Sequence, residues 1–188
     1  MNTKNFIYEV IIEIPKNSSV KYEYDKERNR ILVDRFLFGT NIYPGDYGFL
    51  ENTLELDGDP LDVLVWVSQP TIPGCVMSTK IIGALKMIDD GELDNKLIAV
   101  CIGDPLFQEI SHYKQLPQIA MKKIVDFFMN YKNLENKKTE ILNWYAPHEA
   151  NQIVLEAQQR YQKYLPLIQN KKTAELKIIL DKEFKKKH

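Results

Sequence analysis

Three aspartates fall within the six residues Asp57–Asp62, DGDPLD, and the chain then runs straight into the apolar stretch VLVWV (63–67). Asp, Gly and Pro are turn formers, and a solvated turn is the plain reading of such a stretch. The spacing, however, sets Asp57, Asp59 and Asp62 at the mouth of a buried strand, where like charges repel and Asp62 cannot easily retreat into solvent. A divalent cation removes that repulsion, and carboxylate oxygen suits Mg²⁺, Mn²⁺ or Ca²⁺. A helix-loop-helix calcium site is excluded. Counted from Asp57 it would need Gly at its sixth position and Glu at its twelfth, where this chain has Asp62 and Ser68.

About thirty residues on, KMIDDGELDNK carries Asp89, Asp90 and Asp94 in another turn between apolar runs. Both acidic groups are expected at strand ends, and in a small barrel such ends converge on one mouth. Carboxylates gathered there would hold more than one metal ion, an arrangement that serves phosphoryl chemistry. Phosphate also needs fixed cations and hydroxyls. Lys21 and Glu23 share a face of the extended KYE, and Arg35 follows ILVD with a planar fork matched to phosphate oxygens. Tyr43 and Tyr47 flank the PGD turn, Lys96 closes the second acidic loop, and Tyr131–Lys132 end a helical segment. Neither GxxxxGK[ST] nor GxGxxG occurs, so the usual nucleotide folds are not written here.

The elements that must position these groups obey two periods. Phe6, Tyr8, Val10, Ile12 and Ile14 alternate as in a strand with one buried face. Residues 31–36, 63–67, 80–88 and 97–102 are further short strands, separated by the turn signals KNSS, KERN, YPGDYG, DGDP, IPG and DDGELDN. After residue 115 the period becomes helical. Ile119, Ile124, Phe127, Phe128, Tyr131 and Leu134 form one stripe behind Pro117, and Ile153, Ala157, Tyr161 and Tyr164 or Leu165 form another. A short third helix is expected before a lysine-rich end. The fold class is α+β, mainly β: a small five-stranded closed barrel (about 6–110) with flanking C-terminal helices (about 117–165) and a tail (166–188), all in one domain, 1–188.

Bulk properties agree. The 188 residues carry 25 basic and 26 acidic side chains, a net charge of −1 that provides no basic field for nucleic acid. Cys75 and Cys101 form no metal or disulfide pattern and are expected as small buried residues in a reducing, cytoplasmic setting. No segment has the features of a signal peptide or of a membrane-spanning helix. His112, His148 and His188 share no ligand spacing, and Trp66 and Trp144 are expected in the core or an interface.

DGDPLDV resembles the Asp-x-Asp-Pro-x-Asp signature of the family I soluble inorganic pyrophosphatases. IEIPKNSSVKYEYDKE, VDRF, YPGDYGF, LKMIDDGELDNKLIAV and FFMNYKNLE resemble that family too, in its order and approximate spacing, from about Phe6 to Leu134. The resemblance implies an oligonucleotide-binding-like barrel, several Mg²⁺ ions per site (with Mn²⁺ or Zn²⁺ as substitutes), and hydrolysis of diphosphate to two phosphates by a metal-activated water without a covalent intermediate. It implies Asp57, Asp62 and Asp94 as ligands of a tight metal pair, Asp62 between both ions, and Asp89 as a ligand for metal arriving with substrate. Asp59 resembles the group that receives the proton of the nucleophilic water. Lys21, Arg35, Tyr47, Lys96, Tyr131 and Lys132 resemble phosphate contacts, with Glu13, Glu23, Tyr43 and Asp90 in support. It also implies a homo-oligomer, a hexamer in bacterial members, with neither nucleic acid nor membrane as partner. Asp90 stands where many relatives carry Glu, and the chain diverges after Asn136.

Three rival readings follow from the same residues. A nucleic-acid module could stack bases on Tyr22, Tyr24, Phe36 and Phe38, though the acidic mouth opposes it. The others are a metal-binding protein without turnover and a hydrolase of nucleotide phosphoanhydrides.

Overall fold

The computed structural model describes residues 6–135 and 137–187, the last four of these as backbone only. Among the described residues nine strands and three α-helices follow in chain order: β1 (Ile7–Ile14), β2 (Val20–Asp25), β3 (Arg30–Phe36), β4 (Asp46–Leu50), β5 (Asp62–Trp66), β6 (Val76–Asp89), β7 (Glu92–Leu93), β8 (Lys96–Cys101), α1 (Gln118–Asn130), β9 (Thr139–Tyr145), α2 (Pro147–Gln169) and α3 (Thr173–Lys187). Strands β1, β4, β5, β8 and β6 pair in that order and β6 returns to β1, closing a five-stranded barrel. Strands β2 and β3 form a separate hairpin, and β7 and β9 pair with the far end of the long strand β6.

One pairing decides where the chemistry sits. Strands β5 and β8 are parallel, with Asp62 opposite Lys96. Parallel neighbours start at the same end of a sheet, so the loops leading into them, which carry Asp57, Asp59 and Asp94, lie on one rim. Strand β6 runs antiparallel to β8, with Leu85 opposite Lys96, and therefore delivers Asp89 beyond that same rim. Glu13 and Ile14 of β1 reach the same cleft, with Ile14 opposite Tyr47.

The run VLVWV does not alternate polar and apolar residues because both its faces are covered. Leu64, together with Ile98 and Val100 of β8, packs with α1 through Ile124, Phe127 and Phe128. Val63 and Val65, with Leu97 and Ala99, pack with Ala150, Val154 and Ala157 of α2. Close approach of β1 to β4 requires Gly48, since a Cβ there would stand 1.8 Å from the Ile11 carbonyl oxygen.

Several elements differ from expectation. YPGDYG turns only at its start, and Asp46–Leu50 is a fully buried strand, because it is flanked by β1 and β5. The chain after residue 115 is not all helical: Thr139–Tyr145 forms β9 along β6, from Asp89 opposite Thr139 to Ala84 opposite Tyr145. Pairing with β6, some fifty residues away in sequence, holds that segment extended. Ile119 and Leu134 are exposed, since the stripe α1 buries is Ala120, Ile124, Phe127 and Phe128, with Tyr131 buried just beyond the helix end. In α2 the buried stripe is Ala150, Val154, Ala157, Arg160 and Tyr164, while Ile153 only edges the core. Cys75 and Cys101 are free and half-buried rather than buried. His188 lies outside the described residues.

Candidate active site

A cleft of about 700 Å³ opens on the rim where β5 and β8 begin. Every candidate residue except Asp90 lines it. At its floor the Lys96 ammonium lies 2.5 Å from Asp62 Oδ2 and 2.6 Å from Asp94 Oδ1. Those two carboxylate oxygens are therefore within about 5 Å of each other. The Tyr47 hydroxyl donates to the same Asp62 oxygen at 2.6 Å. Lys96 is only 3% exposed. Burial alone would lower its pKa, but Asp62 and Asp94 hold it well above the usual ammonium range.

The Asp57–Asp62 turn is stitched to itself. Asp57 Oδ1 accepts from the Asp59 amide at 2.9 Å, and the Glu55 amide donates to the Asp59 carbonyl at 2.7 Å. Gly58 adopts φ +102° within it, a conformation open chiefly to glycine. Desolvation pushes Asp57 up to about 7, and Asp59 and Asp94 add to the rise. Desolvation likewise raises Asp59, with Asp62 contributing, and raises Asp94 against the pull of Lys96. Glu13, whose Oε1 accepts from the Tyr24 amide at 2.7 Å, is also pushed up to about 7 by burial. These carboxyls are crowded and dry, with less positive charge among them than they need.

Cations stand across the cleft. Lys21 pairs with Glu23 at 2.5 Å and with Asp34 at 3.2 Å, within the β2–β3 hairpin. Arg35 is held from two sides, by Asp34 at 2.6 Å and Glu135 at 3.1 Å. Lys132 pairs with Asp89 Oδ2. Behind them Tyr43 packs on Phe127, with ring centroids 4.6 Å apart, and Phe127 stacks on Tyr131 at 5.0 Å. Burial raises the pKa values of Tyr43, Tyr47 and Tyr131, so all three hydroxyls keep their protons and can donate.

The donor set suits a hard divalent cation: Asp57, Asp62, Asp89 and Asp94 offer only oxygen. Asp89 Oδ1 is buried without a hydrogen-bond partner, so one donor is spare. Among the described residues no three such side chains are drawn together around a single point. The buried Lys96 ammonium instead spans Asp62 and Asp94 and offsets the charge of both.

Asp90 is turned away. It occupies the exposed β6–β7 turn at φ +48°, where its Oδ1 accepts from the Lys138 amide at 3.3 Å. The histidines are elsewhere too: His112 accepts from the Lys114 amide at 3.2 Å, and His148 is exposed at the start of α2. Trp144 stacks on Tyr113 at 4.7 Å, a packing role. Sequence reasoning missed Lys26 and Lys137, which line the cleft, and Glu135, which holds Arg35. It also missed Arg160, though a lone arginine at helical spacing between Ala157 and Tyr164 marks a buried charge that needs a partner.

Residues 10–162 match the inorganic pyrophosphatase family. The chain belongs to the family I inorganic pyrophosphatases. All the candidate residues, from Glu13 to Lys132, lie inside the matched span. An inorganic pyrophosphatase of Geobacillus stearothermophilus is 49% identical over 161 residues, covering 86% of this chain and 98% of the relative. One from Mycoplasma genitalium is 50% identical over 137 residues, 73% and 74% of the two chains. The crystal structure of inorganic pyrophosphatase from Thermus thermophilus superposes with a TM-score of 0.81 at 35% identity, covering 86% of this chain and 95% of that one. The family's barrel is thus the one described above, and α3 lies beyond the span that the family match reaches.

Proposed function

We propose that this chain hydrolyses inorganic diphosphate to two phosphates with Mg²⁺ as the cation, water as the nucleophile and no covalent intermediate. The observation that carries the reading is the single cleft in which two acidic loops face Lys21, Arg35 and Lys132. Asp57, Asp62 and Asp94 would hold the tight ions and Asp89 the ion that enters with substrate; Mn²⁺ or Zn²⁺ would substitute. When bound, such ions supply a water of lowered pKa and offset phosphate charge.

The chain's own groups do the rest by position and electrostatics. Arg35, oriented by Asp34 and Glu135, presents its fork to phosphate oxygens, and Lys21 and Lys132 add charge. Tyr47 and Tyr131 remain protonated and donate hydrogen bonds, Tyr131 toward the departing phosphate. Lys96 holds Asp62 and Asp94 together and so fixes the spacing of the two acidic loops. Asp59 has a raised pKa and sits at the edge of the turn, where it can take the proton of the attacking water. Glu13, Glu23 and Tyr43 orient these groups.

Phosphate release from diphosphate, with and without Mg²⁺, tests the reading. Turnover of nucleoside triphosphates in preference to diphosphate, or no turnover, would overturn it. Labelled oxygen from water should enter product without a phosphorylated protein. A single domain, a homo-oligomer and a cytoplasmic setting complete the proposal. The exposed apolar residues Val33, Phe36 and Phe38 support self-association, and the free cysteines support a reducing compartment. Light scattering reads the first.

A further inference from the structure

Helix α3 does more than extend the chain past the matched span. A helix of fifteen residues is marginal alone in water, and its burial is concentrated in Leu176 and Leu180. Both leucines pack with Leu54, Leu56 and Tyr164, and Leu180 is fully buried. Leu54 and Leu56 lead directly into the Asp57–Asp62 turn. A Cβ built on Gly58 would lie 4.0 Å from Leu180 Cδ1, so the leucine tip lies close beside that turn. Leu56, Asp57, Glu92, Leu93 and Asp181 wall a space of about 30 Å³, which brings α3 against both acidic loops at once.

A polar chain runs in parallel. Glu183 of α3 lies 3.8 Å from Arg160 Nε and accepts from Lys163 at 2.5 Å and from the Tyr164 hydroxyl at 2.6 Å. Arg160 Nη1 donates to the Leu54 carbonyl at 2.5 Å and lies 3.8 Å from Glu55. Glu55 accepts from the Asn95 side chain at 3.4 Å and donates its amide to the Asp59 carbonyl. Asn95 stands between Asp94 and Lys96. Through three buried or half-buried groups, α3 is thus linked to both loops that bear the aspartates.

We propose that α3 is a positioning brace for the divalent-cation site: Leu176 and Leu180 prop the Leu54–Asp59 segment while Glu183 anchors Arg160, holding Asp57 and Asp94 at the separation shared cations need. The inference rests on the cation reading given above. Outer-shell supports of this kind change metal affinity by about 10- to 100-fold, because a loop free to relax must be ordered when the ion binds.

The test uses the full chain. Leu180→Ala removes the prop, Leu180→Met restores its volume, Glu183→Gln weakens the Arg160 anchor, and Val154→Ala makes a cavity between α2 and the barrel, outside the cluster that α3 buries. Binding of Mg²⁺ alone is measured by calorimetry, and exchange of the Gly58 and Asp59 amides by NMR or mass spectrometry. Leu180→Ala should weaken Mg²⁺ about tenfold and speed those amides by a similar factor. Glu183→Gln should weaken Mg²⁺ about threefold, while Leu180→Met and Val154→Ala stay within about twofold of the parent. Parent-like Mg²⁺ binding in both Leu180→Ala and Glu183→Gln overturns the brace. So does an equal loss in Val154→Ala, which would make the effect one of general stability. If Leu180→Ala does not fold, Glu183→Gln and its amide exchange decide alone. If the parent itself binds no Mg²⁺ at millimolar concentration, the cation reading fails first and the brace falls with it.

Discussion

Replacing Lys96 by Met would separate the two jobs this lysine does. Met keeps most of the length and apolar stem but removes the ammonium that lies 2.5 Å from Asp62 and 2.6 Å from Asp94. Two carboxylates about 5 Å apart at an effective dielectric near 20 repel by about 3 kcal/mol. That agrees with the roughly 3–5 kcal/mol lost when one partner of a buried pair is deleted. For a chain of this size a loss of about 3 kcal/mol lowers Tm by about 6–12 °C. Unfolding of the metal-free variant should show it at pH 7.5, and millimolar Mg²⁺ should recover most of it by neutralising the same carboxylates. The deficit should also shrink toward pH 5, because Asp94 already has a raised pKa and takes up a proton readily once Lys96 is gone. A metal-free Lys96→Met as stable as the parent, or one equally destabilised with and without Mg²⁺, would refute the reasoning.

Three further outcomes are expected. Arg35→Lys keeps the charge but loses the fork held between Asp34 and Glu135, so KM for diphosphate should rise about tenfold with little change in Tm; an unchanged KM removes Arg35 from the phosphate site. Gly48→Ala forces a Cβ to within 1.8 Å of the Ile11 carbonyl oxygen, so β1 must shift off β4 at a cost of about 3 kcal/mol, read by urea unfolding. Asp57 and Glu13 have folded-state pKa values raised to about 7, so their contribution is complete below the ordinary carboxylate range and is lost as pH rises through about 7. Metal-free protein should therefore lose on the order of 2–4 kcal/mol between pH 4 and 8, and Mg²⁺ should flatten that dependence; a stability that rises with pH would contradict it.

The sequence by itself determined the chemistry available. Hard-oxygen donors came in two short turns, cations and tyrosines flanked them, and the strands that bear them announced themselves by β-branched apolar runs. These are local properties, set by the side chains and by turn propensity, and they survive any arrangement of the strands. Tertiary structure alone decided which of those groups meet. The parallel pairing of β5 with β8 put both acidic turns on one rim, and it set Lys96 between Asp62 and Asp94. It also turned Asp90 outward, recruited Glu135 to Arg35, and made a strand of Thr139–Tyr145. Each of these depends on partners many residues distant, where the energy comes from burial and pairing across elements and leaves no period in the local sequence. The same holds for Leu176 and Leu180: in the sequence they are two apolar residues of a lysine-rich helix, and only packing against Leu54 and Leu56 brings them beneath the acidic turn.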